Sequence, residues 1–505
     1  MAANPKQMTR AVSFFEIVAI SCLCIYSIFG WLNQFKLSPD SANYITASIN
    51  FIRTGRLFVF ANWPSHSMEP EIEPYTDYPP GFPLYLAPFI LIFQDPLLAA
   101  TIAQSFAIIF FYLSIGLILQ ALKLQTSTRL GGMLVVTFLQ TLVFIRSYFW
   151  TETLFISLSA AIGLCVIHIM RGEDSRRYWI MSALLLFLAS LIRFTGVYNI
   201  AWFIPVILYQ KIYKQTDPKD QIQRYVDSSL LIMKISVAAL LPVVVWLLRN
   251  RLLYGYVTQS HHLFQAFSWE KLFSPFKWLY TYLFYSQFPD GVFIILGLLF
   301  LVVLPFFQAT SKERVIHATL IFVLICHFTG VWVSSIFAEF NDLDSRLLSP
   351  AITIACLAVF NGLDTFTRNV KPYHLKILIN LLPFIFFMFS TQATVISIEP
   401  GIIDYPTEKY LWQQLKKVDE LTSSSHFYTD YDFTHQIFAG MPQRIIWDRL
   451  DLVKARKLLA RGERPFFLLS QASSAKKALD QYIIQGDLQL QSMDFPEGFT
   501  LYYKP

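Results

Sequence analysis

An acidic side chain, Asp40, follows directly after a serine and a proline that are typical of a helix start. The Ser38 hydroxyl can cap the helix and Pro39 suits its first position, so Asp40 is predicted in the first turn, beside the positive end of the helix dipole. There the carboxylate should stay ionised, and it could take a proton from an attacking hydroxyl group. The alternative is that Asp40 only stabilises its own helix.

Several arginines lie at the ends of predicted membrane spans, all on the same side of the membrane as Asp40. They are Arg146, Arg193, Arg249, Arg251 and Arg346. Membrane insertion favours basic residues on the cytoplasmic side and gives no reason for cations on the other. Because the guanidinium fork matches phosphate oxygens, the group predicts a site for a lipid phosphate or diphosphate. Alternatively, the arginines reach toward lipid headgroups or pair with nearby carboxylates. Those carboxylates are Glu152, Glu339, Asp342 and Asp344.

Two further acids, Glu152 and Asp77, are candidates for contacting an acceptor or for a structural role. Glu152 begins a predicted span on the Asp40 side, where it could order an arginine, hold a divalent cation or stabilise the helix N-terminus. The adjacent His261 and His262 lack the spacing of a two-histidine metal face on a helix. We therefore predict no cofactor and no metal site, although a divalent cation remains possible.

The composition places the chain in a membrane. Of its 505 residues, 55% are hydrophobic and only 15% are charged, which is far more apolar than a soluble protein of this size. All five cysteines fall within apolar runs, so no disulfide framework is predicted. The expected fold class is an α-helical polytopic membrane protein, with membrane lipids as partners and no nucleic acid.

About eleven apolar runs are long enough to cross a bilayer. They cover residues 11–32, 96–121, 130–149, 151–170, 178–193, 195–210, 231–248, 291–308, 315–335, 347–364 and 377–396. The first run lacks a small-residue cleavage site and is predicted to be an uncleaved helix. With a cytoplasmic N-terminus, every cytoplasmic connection is basic, as the positive-inside rule requires. The two runs between 178 and 210 are short and closely linked, so they could instead be broken or tilted.

Two regions lie outside these spans. A large first outer loop, residues 33–95, carries Asp40 and ends in an apolar run at 82–93 that is too short to span and is predicted to be interfacial or re-entrant. After residue 396 the chain becomes polar, and strand-like and helix-like segments alternate. We therefore predict a transmembrane domain over 1–396 and a small extracytoplasmic α/β domain over 397–505.

Several short motifs, taken in order, resemble the GT-C class of membrane glycosyltransferases. They are Y-P-P-G-F-P-L-Y-L-A-P at 78–88, T-E-T-L-F at 151–155, L-I-R-F-T-G at 191–196, P-V-V-V-W-L-L-R-N-R-L-L-Y-G at 242–255 and S-R-L-L-S-P at 345–350. The resemblance covers roughly residues 1–396 and is strongest to the protein O-mannosyltransferase and lipid A aminoarabinose transferase group.

The resemblance implies that Asp40 is the catalytic base and that the donor is a sugar linked to polyprenyl phosphate. Arg193, Arg249, Arg251 and Arg346 are then expected to bind the donor phosphate. Many protein mannosyltransferases have a second acid directly after the first, whereas here Ser41 follows Asp40. Neither a protein acceptor nor metal dependence therefore follows from the resemblance.

The predicted function is transfer of a hexose or pentose from a polyprenyl-phosphate donor to a lipid, glycan or protein acceptor. The expected location is the bacterial cytoplasmic (inner) membrane, with the site and the C-terminal domain facing outward. A transporter or flippase is the main alternative, but transporters place ionisable residues at mid-membrane on broken helices. A non-enzymatic scaffold is the third reading. It leaves the acidic loop and the arginines without a role.

Overall fold

The structure is a computed structural model. It describes residues 14–33, 38–60, 72–173, 175–209, 221–258, 302–308, 311–337, 345–368, 379, 427–429, 443–445, 466–470, 474–484, 490–495 and 499–503. The predicted span at 377–396, most of the one at 291–308, and the helix-like segments near 407–421 and 451–461 lie outside these residues. So do Glu339, Asp342, Asp344, His261 and His262.

The first half of the described chain is almost entirely helical. Its helices are α1 (Phe14–Asn33), α2 (Pro39–Thr54), α3 (Gly81–Phe93), α4 (Pro96–Ala121), α5 (Thr126–Phe138), α6 (Gln140–Ser147), α7 (Glu152–Arg171) and α8 (Ser175–Ile192). A short antiparallel hairpin of β1 (Phe58–Phe60) and β2 (Ile72–Pro74) separates α2 from α3.

A 3-10 helix (Phe194–Trp202) and the short α9 (Phe203–Leu208) come next. The remaining helices of this part are α10 (Gln221–Tyr254), α11 (Pro305–Gln308), α12 (Ser311–Phe337) and α13 (Ser345–Arg368). Helix α7 packs against α4 and α8, and α12 packs against α13. About nine-tenths of the most apolar stretch of α7 is buried inside the protein, so α7 is the central helix of the described bundle.

Among the described residues, five helices are long and apolar enough to cross a membrane, or six if one bent pair counts as a single span. They begin at Pro96, Glu152, Leu230, Lys312 and Arg346. Each matches an apolar run in the sequence, and together they identify an integral membrane protein. The full count of eleven stays a prediction.

The predicted span at 130–149 consists of two helices with a bend between them, a feature that the sequence did not predict. Helices α5 and α6 meet at Leu139, whose backbone is extended, and their axes differ by 54°. The buried Arg146 side chain donates hydrogen bonds to the carbonyl oxygens of Val136, at 3.0 Å, and Thr137. A side chain therefore satisfies carbonyls at the end of α5, where no further helical turn can do so. Arg146 holds this bend.

The predicted span at 195–210 is broken, as the sequence left open. Arg193 is extended, and the following 3-10 helix folds back on the end of α8. A Cβ atom at Gly196 would lie 2.4 Å from the carbonyl oxygen of Ala189, so only glycine allows this close approach. The break thus puts Arg193 at the end of α8 rather than inside a continuous helix.

The C-terminal region contains a mixed five-stranded sheet. Its strands are β3 (Phe427–Thr429), β4 (Gln443–Ile445), β5 (Phe466–Ser470), β6 (Gln491–Phe495) and β7 (Phe499–Tyr503). The spatial order is β4-β3-β5-β7-β6, with parallel pairs on the β4 side and antiparallel pairs on the β6 side. Helix α14 (Ser474–Ile484) connects β5 to β6 and packs against β5.

Candidate functional site

Helix α2 presents Asp40 at its N-terminal turn, as the sequence predicts. Ser38 is the N-cap, Pro39 opens the helix, and the Ser38 and Ser41 side chains form a reciprocal capping box. Both oxygens of Asp40 have partners. Tyr78 donates its hydroxyl to Oδ1 at 2.6 Å, and Nη1 of Arg346 lies 2.5 Å from Oδ2. The carboxylate is therefore fixed from two directions.

Glu152 joins two of the predicted arginines. Its side chain is fully buried at the start of α7, where Oε1 accepts hydrogen bonds from Nη1 of Arg193 and, at 2.9 Å, from Nε of Arg346. Arg193 also donates to the Thr151 hydroxyl at 2.8 Å. Arg346 thus bridges Glu152 and Asp40, and two positive charges face two negative charges across this four-residue cluster.

Tyr78 is held so that its hydroxyl must donate to Asp40. Burial, followed by the charge on Asp40, raises the pKa of Tyr78 well above its usual range. Its ring packs edge-on against Tyr44, whose pKa is also raised by burial and then by Asp40. Tyr78 therefore keeps its proton and acts as a hydrogen-bond donor to the carboxylate. In the sequence, Tyr78 stood out only as the first residue of the motif at 78–88.

Arg249 occupies a different environment near the end of α10. Its guanidinium lies 4.5 Å from the ring centre of Trp246 and 5.1 Å from that of Tyr254. It donates to the Asn250 side chain at 2.9 Å and to the Tyr254 hydroxyl at 3.2 Å. Within the described part of the chain, no carboxylate pairs with Arg249. Its positive charge is not neutralised there.

This arginine is nevertheless connected to Asp40. The Trp246 indole donates to the backbone oxygen of Tyr78 at 3.1 Å, and Tyr78 donates to Asp40. One tyrosine therefore contacts both the carboxylate and the aromatic ring on which Arg249 rests. Arg249, which has no carboxylate partner among the described residues, and the candidate base therefore belong to one connected site.

The other candidate residues lie at the edges of this site or apart from it. Arg251 is exposed and donates to the carbonyl oxygen of Gly255 at the end of α10. Asp77 is partly buried in the turn before α3, next to Tyr78. Arg146 binds the carbonyls of α5, as described above. Over the described ranges, no three histidine, cysteine, aspartate or glutamate side chains come together as metal ligands would.

Trp150 is the site residue that sequence patterns offered the least reason to select. Arg346 lies 4.3 Å from its ring centre, and its indole nitrogen donates to the Ser38 hydroxyl at 2.6 Å. The only sequence signal was its place directly before the motif at 151–155, two residues before Glu152. Contacts between residues so far apart in the chain leave no trace in periodicity or spacing.

The fold matches several solved structures along almost the whole chain. ArnT from Cupriavidus metallidurans in the apo state matches 98% of both chains, with a TM-score of 0.57 and 12% identity. The same protein bound to undecaprenyl phosphate gives a TM-score of 0.59 and 11% identity, again over 98% of both chains. No protein-family model matches the sequence, and no curated protein matches it either.

Two more distant architectures also match. Archaeal oligosaccharyltransferase AglB from Archaeoglobus fulgidus, in complex with an inhibitory peptide and a dolichol-phosphate, gives a TM-score of 0.55 at 9% identity, over 97% of this chain and 74% of that one. Arabinofuranosyltransferase AftD from Mycobacteria gives 0.54 at 12% identity, over 96% of this chain and 41% of that one. All of these are GT-C membrane glycosyltransferases. This chain therefore has the GT-C fold, which confirms the resemblance at the level of structure.

Proposed function

We propose that the protein is an integral membrane glycosyltransferase that moves a sugar from a polyprenyl-phosphate donor to an acceptor outside the cytoplasm. The observation that carries the proposal is the cluster around Asp40: a carboxylate at a helix N-terminus, held by Tyr78 and Arg346, on a GT-C fold. The lipid phosphates bound to ArnT and AglB support a donor of the same chemical kind.

In the proposed reaction, Asp40 takes the proton of an acceptor hydroxyl as the oxygen attacks the anomeric carbon. The new bond forms between that oxygen and the sugar, the bond from the sugar to the phosphate oxygen breaks, and the polyprenyl phosphate leaves with the electron pair. An ionised carboxylate has about four acceptor positions, so the two contacts to Tyr78 and Arg346 still leave room for the acceptor hydroxyl. The acceptor itself is a lipid, a glycan or a protein.

Within this proposal the donor phosphate belongs beside Arg249, and Glu152 is a structural acid. Phosphate needs a cation whose charge is available, and Arg249 is the site arginine that has no carboxylate partner in the described residues. Arg193 and Arg346 already neutralise Glu152 and Asp40. Arg193 and Arg346 therefore add to the positive potential around the phosphate, whereas Arg249 makes the direct charged contact with it.

The decisive experiment is Asp40→Asn, assayed as purified protein with radiolabelled polyprenyl-phosphate sugars and a panel of acceptors. The amide keeps the shape of the side chain but cannot take the proton, so we expect transfer to fall about 100- to 10,000-fold with donor binding nearly intact. Asp95→Asn is the matched control, since Asp95 is likewise an acid at a helix start, where it is the N-cap of α4, and asparagine caps equally well. Transfer by Asp40→Asn at the control rate would reduce Asp40 to a helix-stabilising residue.

A transporter or flippase is the second candidate, and one feature favours it. In the interior of α12 the buried His327 contacts the side chain of Asn199 at 3.3 Å, on the broken span. Buried polar groups on a broken helix are typical of transport sites. Protein in detergent has no compartments to transport between. Sugar transfer by the protein in detergent therefore supports the enzyme. Transport across the membrane of vesicles that contain the protein, without any sugar transfer, supports the transporter.

We also propose the orientation and the domain division. Eleven spans over 1–396 with a cytoplasmic N-terminus would put Asp40 and residues 397–505 outside, with the inner membrane of a bacterium as the location. Basic residues at the opposite ends of the described helices support this, among them Arg129, Arg171, Arg177 and Lys312. The sheet β3–β7 supports a separate α/β domain at the C-terminus.

Thiol labelling tests this orientation in a variant without the native cysteines. Gln491→Cys is exposed on β6 and should react with an impermeant reagent in intact cells, whereas Arg177→Cys, exposed near the start of α8, should react only after permeabilisation. The opposite pattern would place the site in the cytoplasm and contradict the proposed orientation.

A further inference from the structure

We infer that Trp150 is a positioning residue for the proposed transfer reaction: it sets the place of both Arg346 and the Asp40 helix. One face of its ring carries the Arg346 guanidinium, 4.3 Å from the ring centre. The ring of Tyr148 stacks against Trp150 at 4.1 Å with an interplanar angle of 8°. The cation thus rests on a layer of two parallel aromatic rings, an arrangement that is attractive both electrostatically and through stacking.

The edge of the same ring reaches the helix that carries the candidate base. The Trp150 indole nitrogen donates to the Ser38 hydroxyl, which is the N-cap of α2. One residue earlier, the carbonyl of Phe149 accepts a hydrogen bond from Ser41 at 2.9 Å. The chain before α7 is thereby tied at two points to the first turn of α2, where Asp40 lies. Trp150 is 5% exposed, so neither its face nor its edge is free to move.

These contacts explain how one arginine can bridge two carboxylates from separate helices. Arg346 must hold its Nη1 toward Asp40 and its Nε toward Glu152 at once. A guanidinium on a long side chain has many other orientations. The indole face removes most of them, and the indole N–H fixes the distance between that face and α2. Loss of Trp150 should therefore misplace the base relative to the bound sugar while leaving the cation beside Trp246 untouched.

The inference rests on the proposed function, and two substitutions test it. Trp150→Leu removes both the aromatic face and the N–H group, whereas Trp150→Phe keeps an aromatic face and removes only the hydrogen bond. A misplacement of about 1 Å in an active site can cost about 100-fold in rate. We expect kcat to fall about 100-fold in Trp150→Leu and only about tenfold in Trp150→Phe, with the Kd for the donor unchanged in both.

Trp179→Phe, the same change at a distant stacked tryptophan, is the control and should leave kcat unchanged. In an Arg346→Ala background, Trp150→Leu should cost less than in the wild-type background, because the part of its effect that passes through Arg346 is already lost. Unchanged kcat in Trp150→Leu, or equal losses of kcat in Trp150→Phe and Trp179→Phe, would overturn the role of Trp150. If Trp150→Leu does not fold, the comparison of the two phenylalanine variants decides. Absence of transfer by the wild-type protein would instead remove the proposed function, so the two failures are distinguishable.

Discussion

Arg346 and Arg249 are both arginines at the Asp40 site, but their surroundings are opposite. Arg346 rests on Trp150 and contacts two carboxylates, Asp40 and Glu152. Arg249 also rests on a tryptophan, Trp246, but its described hydrogen-bond partners are the neutral side chains of Asn250 and Tyr254. An aromatic face holds the cation in both places, so only the charge of the partners differs.

We propose from this difference that Arg346 has a structural role and that Arg249 binds the donor phosphate. A buried arginine that already faces carboxylates is compensated, and removing either side leaves an unpaired charge. An arginine with neutral partners keeps its attraction for an incoming anion. The sequence treated Arg193, Arg249, Arg251 and Arg346 as one phosphate-binding group. The described contacts divide them into a pair that faces Glu152 (Arg193 and Arg346), one arginine with only neutral described partners (Arg249), and one exposed arginine on the same helix (Arg251).

The largest effect is expected on protein stability when the ion pairs of Glu152 with Arg193 and Arg346 are broken. Glu152→Gln removes the negative charge between Arg193 and Arg346 while keeping nearly the same volume. Because it removes the fully buried carboxylate and leaves its two arginine partners without it, it should destabilise the protein by roughly 3 to 5 kcal/mol. The thermal midpoint in detergent should fall clearly.

Glu173→Gln is the matched control for this change. Glu173 pairs with His168 at 2.8 Å, but its side chain is half exposed, and surface pairs contribute little. Its thermal midpoint should stay close to that of the wild type. Equal midpoints for the Glu152 and Glu173 variants would show that the buried cluster does not stabilise the fold. Glu152 would then be open to a direct role with the acceptor.

The sequence predicted the parts of this site that depend on neighbouring residues. The cap at Ser38, the first-turn place of Asp40 and the start of α7 at Glu152 all follow from local rules, and the structure has them. The long apolar runs predicted α4 and α7 to within one residue at each end, and α12 and α13 to within four. The gathering of several arginines on the Asp40 side was also visible, because a topology rule makes such cations unexpected.

Contacts between distant residues escaped the same reasoning. The apolar run at 130–149 is continuous, and the bend at Leu139 depends on Arg146 reaching back to the carbonyls of α5. The pairing of Arg346 with Asp40 joins positions more than 300 residues apart, which no periodicity records. Tyr78 was visible as an aromatic residue, but its bond to Asp40 was not. A single sequence shows which groups carry charge, and only the packed fold shows which charges are already paired.

A smaller effect, on donor binding, is expected when Arg249 is replaced. Arg249→Ala removes a charge-assisted contact to the donor phosphate, which should weaken donor binding by roughly 1.5 to 3 kcal/mol, about 10- to 150-fold in Kd. Arg249→Lys should recover part of this loss, because lysine keeps the charge but not the planar fork or its stacking on Trp246. Titration with polyprenyl-phosphate sugar measures the Kd, and the thermal midpoint should change little in either variant.

Arg251→Ala is the control that separates a specific contact from general attraction, because Arg251 is exposed on the same helix two residues further on. An exposed cation is screened by salt, so its removal should change the donor Kd only slightly, and less so as ionic strength rises. Equal losses for Arg249→Ala and Arg251→Ala would mean that the helix end attracts the donor as a diffuse charge. Native donor affinity in Arg249→Ala, with a lower thermal midpoint, would make Arg249 as structural as Arg346. The difference between the two arginines would then carry no function, and the donor phosphate would have to displace a carboxylate from Arg193 or Arg346 in order to bind.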